Sequence, residues 1–276
     1  HRPSPRWEVQ GESAHEPVGG GGRLRSIQST TPAPAGAWSV AVRNGGGCPV
    51  LNRPCDFLFK SAIGGFFEFC VDNARRLLPA GVQPLELHHG RALLAVLAFD
   101  FESGEVGPYQ EVIMAVVVAP FIDRGSPLPH SALFPFMVGT STQAARDHGS
   151  ANYYLPHYEE DVSLRFVRDG SVLQAPVLSG APVLELSVER PKGIAAERVE
   201  RIYQVISTRG SEVYAADVII AGDNVEHEEE TAVLTLHPHG FNAPLEISEV
   251  NRWACREQWV VEGTERFWPL KRIGRC

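Results

Sequence analysis

Glu111 closes the segment Glu105-Val106-Gly107-Pro108-Tyr109-Gln110-Glu111 and stands at the head of a run of Val, Ile, Met and Ala. A carboxyl that points from such a strand into apolar surroundings loses the hydration of its charged form. Its pKa then rises unless a cation pairs with it. A carboxyl raised in this way is a general acid or base near neutral pH. Strand alternation leaves a second placement open, with Glu111 at the wet end or facing solvent. The other chemistry-bearing stretch is Asn152-Tyr153-Tyr154-Leu155-Pro156-His157-Tyr158-Glu159-Glu160-Asp161. His157 titrates near neutrality and can shuttle protons. The competing reading of this stretch is a surface turn whose tyrosines lie along apolar surface. Glu111 and His157 are thus candidates for proton transfer, with Tyr109, Tyr154, Tyr158 and Glu159 as candidate substrate contacts.

Other histidines offer less. His237-Pro238-His239 and Glu226-His227-Glu228 lack the i, i+4 helical spacing of a zinc hydrolase, so no metal is expected. His88-His89-Gly90 reads as a turn. No Gly-x-Ser-x-Gly, Gly-x-Gly-x-x-Gly or Gly-x-x-x-x-Gly-Lys-Ser/Thr pattern occurs, so no cofactor is expected either. Five cysteines without a Cys-x-x-Cys pair exclude a zinc ribbon or thioredoxin motif and fit reduced thiols in a cytoplasmic protein.

The elements that must position these residues are mostly strands. Residues 1–48, with Gly19-Gly20-Gly21-Gly22 and Gly45-Gly46-Gly47, read as a flexible tail, and 49–276 as one domain. Within the domain, apolar spacing and Pro79 predict a helix over 66–78. A short strand is expected at 85–87, and a hairpin from 92–101 and 109–119. A strand at 133–138 and a short helix at 142–149, capped by Ser141 or Thr142, come next. Strands at 162–168, 171–178, 183–188, 203–209, 213–220 and 253–261 follow, with turns such as Asp169-Gly170 at regular spacing. The expected class is α+β, mostly β, as a closed barrel or curved antiparallel sheet with a few flanking helices.

A formal net charge of −8 argues against a nucleic-acid partner, and no apolar run long enough for a membrane helix occurs. The 25 basic residues include only three lysines, Lys60, Lys192 and Lys271.

Four segments in order are similar to the acetoacetate decarboxylase superfamily: Asn52-Arg53, the stretch from Phe69 through Leu78-Pro79 to Pro84-Leu85-Glu86, Gly107-Pro108-Tyr109-Gln110-Glu111, and Ala144 to Tyr158. The resemblance spans residue 50 to the end. It implies a β-barrel-like core, a homo-oligomer and a small-molecule carbonyl substrate. It also implies that Arg53 sits near Glu111 and binds a substrate carboxylate or enolate, with Glu111 as acid/base. The family's nucleophilic lysine and its pKa-lowering neighbour fall on His157 and Tyr158, which cannot form the imine. A further family acid falls near Ala95 or Val96, so the pocket is expected to be more apolar and to suit a larger substrate. The expected activity is therefore acid/base work on an enolisable carbonyl compound without a Schiff base, by cyclisation, dehydration or C–C cleavage, in a biosynthetic setting. Two alternatives stay open: a Schiff-base decarboxylase or aldolase using Lys60, on the apolar stretch Phe57-Leu58-Phe59, or a non-catalytic binding protein. Trp253, Trp259 and Trp268 are candidates for core or interface aromatics.

Overall fold

The computed structural model describes residues 52–276 except Asp123, Pro191, Lys192, Ile194 and Glu229. The expected tail over 1–48 lies outside the described residues. Thirteen strands and two α-helices follow in order: β1 (Cys55–Cys70), α1 (Val71–Leu77), β2 (Arg91–Ser103), β3 (Tyr109–Val118), β4 (Ser131–Thr140), α2 (Gln143–Tyr153), β5 (Ser163–Leu164), β6 (Val167–Asp169), β7 (Val172–Ser179), β8 (Ala181–Glu189), β9 (Glu197–Arg209), β10 (Glu212–His227), β11 (Val233–Leu236), β12 (Ala254–Phe267) and β13 (Lys271–Arg275).

The expected barrel forms. Strands β12-β1-β2-β3-β4-β9-β10 run side by side, and β10 pairs back onto β12, closing the ring, with β13 added beside β10. The β4–β9 pairing is parallel; the other barrel pairings are antiparallel. At the closure, a Cβ on Gly222 would lie 3.0 Å from the Gly263 backbone, so these positions must be small for β10 and β12 to meet. A second sheet, β11-β8-β7-β5 with β6 beside β7, covers one outer face.

Two apolar layers result from period-2 alternation. On β2, Ala95, Leu97, Phe99 and Phe101 face into the barrel, while Leu94, Val96 and Ala98 face the second sheet. On β3, Ala115 and Val117 face in, and Val112, Met114 and Val116 face out. Strands apolar on both faces read as continuous hydrophobic runs, the pattern seen in the sequence. Among the described residues, no helix is long and apolar enough to cross a membrane.

The helix expected over 66–78 is only half realised. Phe66, Phe67 and Phe69 continue β1, opposite Ala95, Leu94 and Ala92, and only Val71–Leu77 is helical. Bulky aromatics fit the half-buried pleat better than a short helix, and barrel pairing overrides the local spacing. The strand expected at 85–87 reduces to a single bridge between Pro84 and Val118. Strands β11 and β13 are short and were not legible. Trp259 is buried, whereas Trp253 and Trp268 are exposed.

Candidate active site

The inward face of β3 places Glu111 inside the barrel. Its alternation partners Ile113 and Ala115 share that face, which settles the placement the sequence left open. Across the barrel, β12 places Glu265 and Phe267 inward, two residues apart. Both glutamates are 8% exposed and line one cavity of about 50 Å³. Its walls include Leu97, Phe99, Leu133, Val138, Leu155 and Phe267. Two carboxyls thus face one largely apolar space.

Electrostatics follow from that burial. Loss of hydration pushes Glu111 well above the ordinary carboxyl range, and the nearby Glu265 carboxyl pushes it further. Glu265 is raised by burial from 4.5 to about 7. Two interacting carboxyls titrate as a pair, and this pair retains a proton near neutrality. A carboxylate that accepts a proton beside a carboxyl that can return one is an acid/base couple.

Two polar side chains complete the lining. The Tyr203 hydroxyl donates to Gln258 Oε1 at 2.9 Å, which fixes the amide and leaves its Nε2 as the donor end. Tyr203 itself is held protonated, its pKa pushed up to about 12 by burial. Tyr109 lies beneath the pair, stacked on Phe101 with ring centroids 4.7 Å apart. Burial and then Glu111 raise its pKa. It is a wall behind the carboxyls and not part of the cavity lining.

The other residues singled out from the sequence lie elsewhere. Arg53 does not reach Glu111. It stands exposed at the barrel rim, and its Nη2 pairs with Glu105 Oε1 at 2.5 Å, in the turn between β2 and β3. The reason is position: Arg53 precedes β1, at the barrel mouth, where Glu105 is the near acid. His157 is also separate. Helix α2, capped by the Thr142 hydroxyl accepting from the Ala145 N–H at 3.3 Å, ends at Tyr154 in a left-handed conformation (φ 53°). The chain then turns so that Leu155 takes the cavity-facing place, and the His157 ring packs on Gly149 of α2. Burial, then Arg146, lowers its pKa to about 4. With Tyr158 and Glu159 it lines an open surface groove beside Phe136 and Met137. Tyr158 rests against the His239 and Phe241 rings, and the Tyr154 hydroxyl accepts from Arg209 Nη1 at 3.1 Å on the surface.

Lys60 points away from the barrel interior and is 61% exposed, 3.9 Å from Glu102. The apolar neighbours Phe57 and Phe59 alternate inward, which leaves Lys60 on the wet face. Lys271 is exposed and Lys192 lies outside the described residues, so among the described residues no lysine lines the cavity. His227 Nε2 bonds the Glu189 carbonyl with its Nδ1 3.1 Å from Glu257 Oε1, and His239 bonds the Ser179 carbonyl and the Phe241 N–H; both have structural partners.

Sequence reasoning missed Glu265, Gln258 and Tyr203. The signal for Glu265 was its place two residues before Phe267, which puts it on an apolar inward face. The strand expected over 253–261 stops before the acid, whereas β12 runs on to Phe267.

No family model matches this sequence, and no curated protein matches it. Solved structures do. Acetoacetate decarboxylase from Legionella pneumophila is 14% identical, with 90% of this chain and 94% of that chain covered and a TM-score of 0.61. An acetoacetate decarboxylase-like enzyme from Sphingomonas wittichii is 14% identical, covering 82% of this chain and 95% of its own, at 0.58. The enduracididine biosynthesis enzyme MppR is 13% identical, covering 89% and 98%, at 0.55. The chain therefore has the acetoacetate decarboxylase-like fold.

Proposed function

We propose that this barrel is an enzyme that enolises a small neutral carbonyl compound, with Glu111 and Glu265 moving the proton. One observation carries the reading: two carboxyls raised in pKa face one largely apolar cavity. In the ionised-plus-protonated state of the pair, the carboxylate takes a proton from the carbon beside the carbonyl. The Gln258 Nε2 amide, held by Tyr203, donates to the oxygen as it becomes an enolate. The proton is then returned from the pair to carbon, or the enolate goes on to cyclisation, dehydration or C–C cleavage. Support for carbonyl chemistry on this fold comes from MppR, one structure of which holds the condensation product of pyruvate and imidazole 4-carboxaldehyde.

The lining also argues the substrate class. Arg53 stays at the rim, so among the described residues no guanidinium lines the cavity to meet a substrate carboxylate, and an anion would be repelled by the pair. A cavity of about 50 Å³ suits a compact aldehyde or ketone and not the larger substrate expected from the sequence, since ordinary ligand pockets span roughly 300–1,000 Å³. Lysine's absence from the described lining supports a route without an imine.

The test is exchange of the α-protons of acetone and butanone in D₂O, followed by NMR. Wild type is expected to accelerate exchange, and Glu111→Gln and Glu265→Gln to lose roughly 10²–10⁴-fold of that acceleration. Full exchange by both variants would refute the roles. A borohydride-trapped covalent adduct with either ketone would refute the imine-free route.

A further inference from the structure

A second cluster of chemistry-bearing groups sits at the barrel rim, outside the cavity. Cys55 opens β1, Glu105 lies in the turn between β2 and β3, and His148 lies on α2. A sulfur, a carboxylate oxygen and an imidazole nitrogen from these residues lie within 4.8 Å of one another. They come from three separate segments, which the packing of β1, the β2–β3 turn and α2 brings together. Cys55 is 1% exposed. His148 Nε2 is buried with no hydrogen-bond partner and lies 3.9 Å from Glu105 Oε2. The other oxygen, Oε1, is held by Arg53. The Tyr153 hydroxyl sits beside the Cys55 thiol.

We propose that Cys55, Glu105 and His148 bind one divalent cation of the zinc type, with Arg53 orienting the carboxylate from outside and the fourth position left to water or the Tyr153 hydroxyl. The donor set is one soft sulfur, one imidazole and one carboxylate, the mixture zinc accepts in sites with three protein ligands. Around a tetrahedral ion with metal–ligand bonds of ~2.0–2.3 Å, neighbouring ligand atoms sit roughly 3.4–3.6 Å apart. Spacings of up to 4.8 Å need a contraction of at most about 1.4 Å to reach this. The bound ion would tie the start of β1, the hairpin turn and α2 into one corner of the rim. A thiolate and a carboxylate balance its charge, and Arg53 engages the carboxylate oxygen that faces away, as outer partners of metal ligands do.

A Cys-His-Glu nucleophile is the rival reading of the same atoms, and the geometry disfavours it. The thiol is closed off from solvent. Burial raises the Cys55 pKa and lowers that of His148, leaving a neutral thiol beside a neutral imidazole. Metal binding inverts that logic, because the ion takes the place of the thiol proton.

The experiment loads the purified full chain with Co²⁺ and reads the thiolate-to-cobalt charge-transfer absorption, then displaces the cobalt with Zn²⁺. Wild type is expected to take up about one equivalent, to release a proton on binding, and to lose the band as zinc enters. Cys55→Ser is expected to abolish the band. Glu105→Gln changes a residue at the rim that does not support the core, and is expected to weaken zinc binding by roughly tenfold or more. Circular dichroism reports whether each variant is folded. No cobalt band in wild type, a band that survives Cys55→Ser, or unchanged zinc affinity in folded Glu105→Gln would each overturn the proposal.

Discussion

Replacing Glu265 by Gln tests the buried carboxyl pair through stability, without needing a substrate. The glutamine keeps the shape of a protonated glutamate and removes its titration. In the fold Glu265 has its pKa raised from 4.5 to about 7 by burial. Below about pH 4.5 folded and unfolded chains both hold this proton, and the group's contribution is complete. As pH rises toward 7 the unfolded chain releases the proton while the fold keeps it, so stability falls. Above 7 the fold carries a buried charge. At ~1.4 kcal/mol per pH unit of displacement, the loss is about 3 kcal/mol.

His157 works the other way in wild type. Its folded pKa, about 4 against 6.5, makes stability rise over that interval. The raw pH curve therefore mixes opposing slopes, and the informative quantity is the difference between variant and wild type. We expect Glu265→Gln and wild type to have similar urea midpoints near pH 4.5. By pH 8 the variant should be more stable by about 3 kcal/mol. Part of that change belongs to Glu111, since the two titrate as a pair. Tryptophan fluorescence in urea at five or six pH values measures it. A difference that stays flat from pH 4.5 to 8 would refute the claim that Glu265 is buried and protonated beside Glu111.

Gly149→Ala is expected to lower stability by about 1–3 kcal/mol, because its Cβ would overlap the buried His157 ring; thermal melts measure this. His157→Gln should leave ketone exchange at the wild-type rate, because the ring packs on α2 outside the cavity. A large loss of exchange in that variant would place His157 back in the chemistry.

Much of the fold was legible because strands state themselves locally. The runs 92–101 and 109–119 combine apolar alternation with a Gly-containing turn, and they form the hairpin β2–β3 with Phe99 opposite Glu111. Local spacing misled at 66–69, where phenylalanines at near-helical intervals belong to a strand. Neighbouring strands offered those rings a better burial than a helix of that length could. Glu111 was readable as a buried carboxyl candidate because its own strand carries the apolar context.

Its partner was not readable, and here the division lies. The sequence by itself determined the alternation that turns Glu111 and Glu265 each toward one face of a strand, and the loss of lysine at His157 and Tyr158. Only the tertiary structure decided which faces meet. Glu111 and Glu265 lie 154 positions apart in the numbering and share a cavity because β10 pairs with β12 and closes the ring. Arg53 meets Glu105 at the rim, where β1 begins beside the β2–β3 turn, and the His157 ring packs on Gly149 of α2. Side-chain direction is a local property of the backbone, whereas proximity between strands depends on how the whole sheet closes.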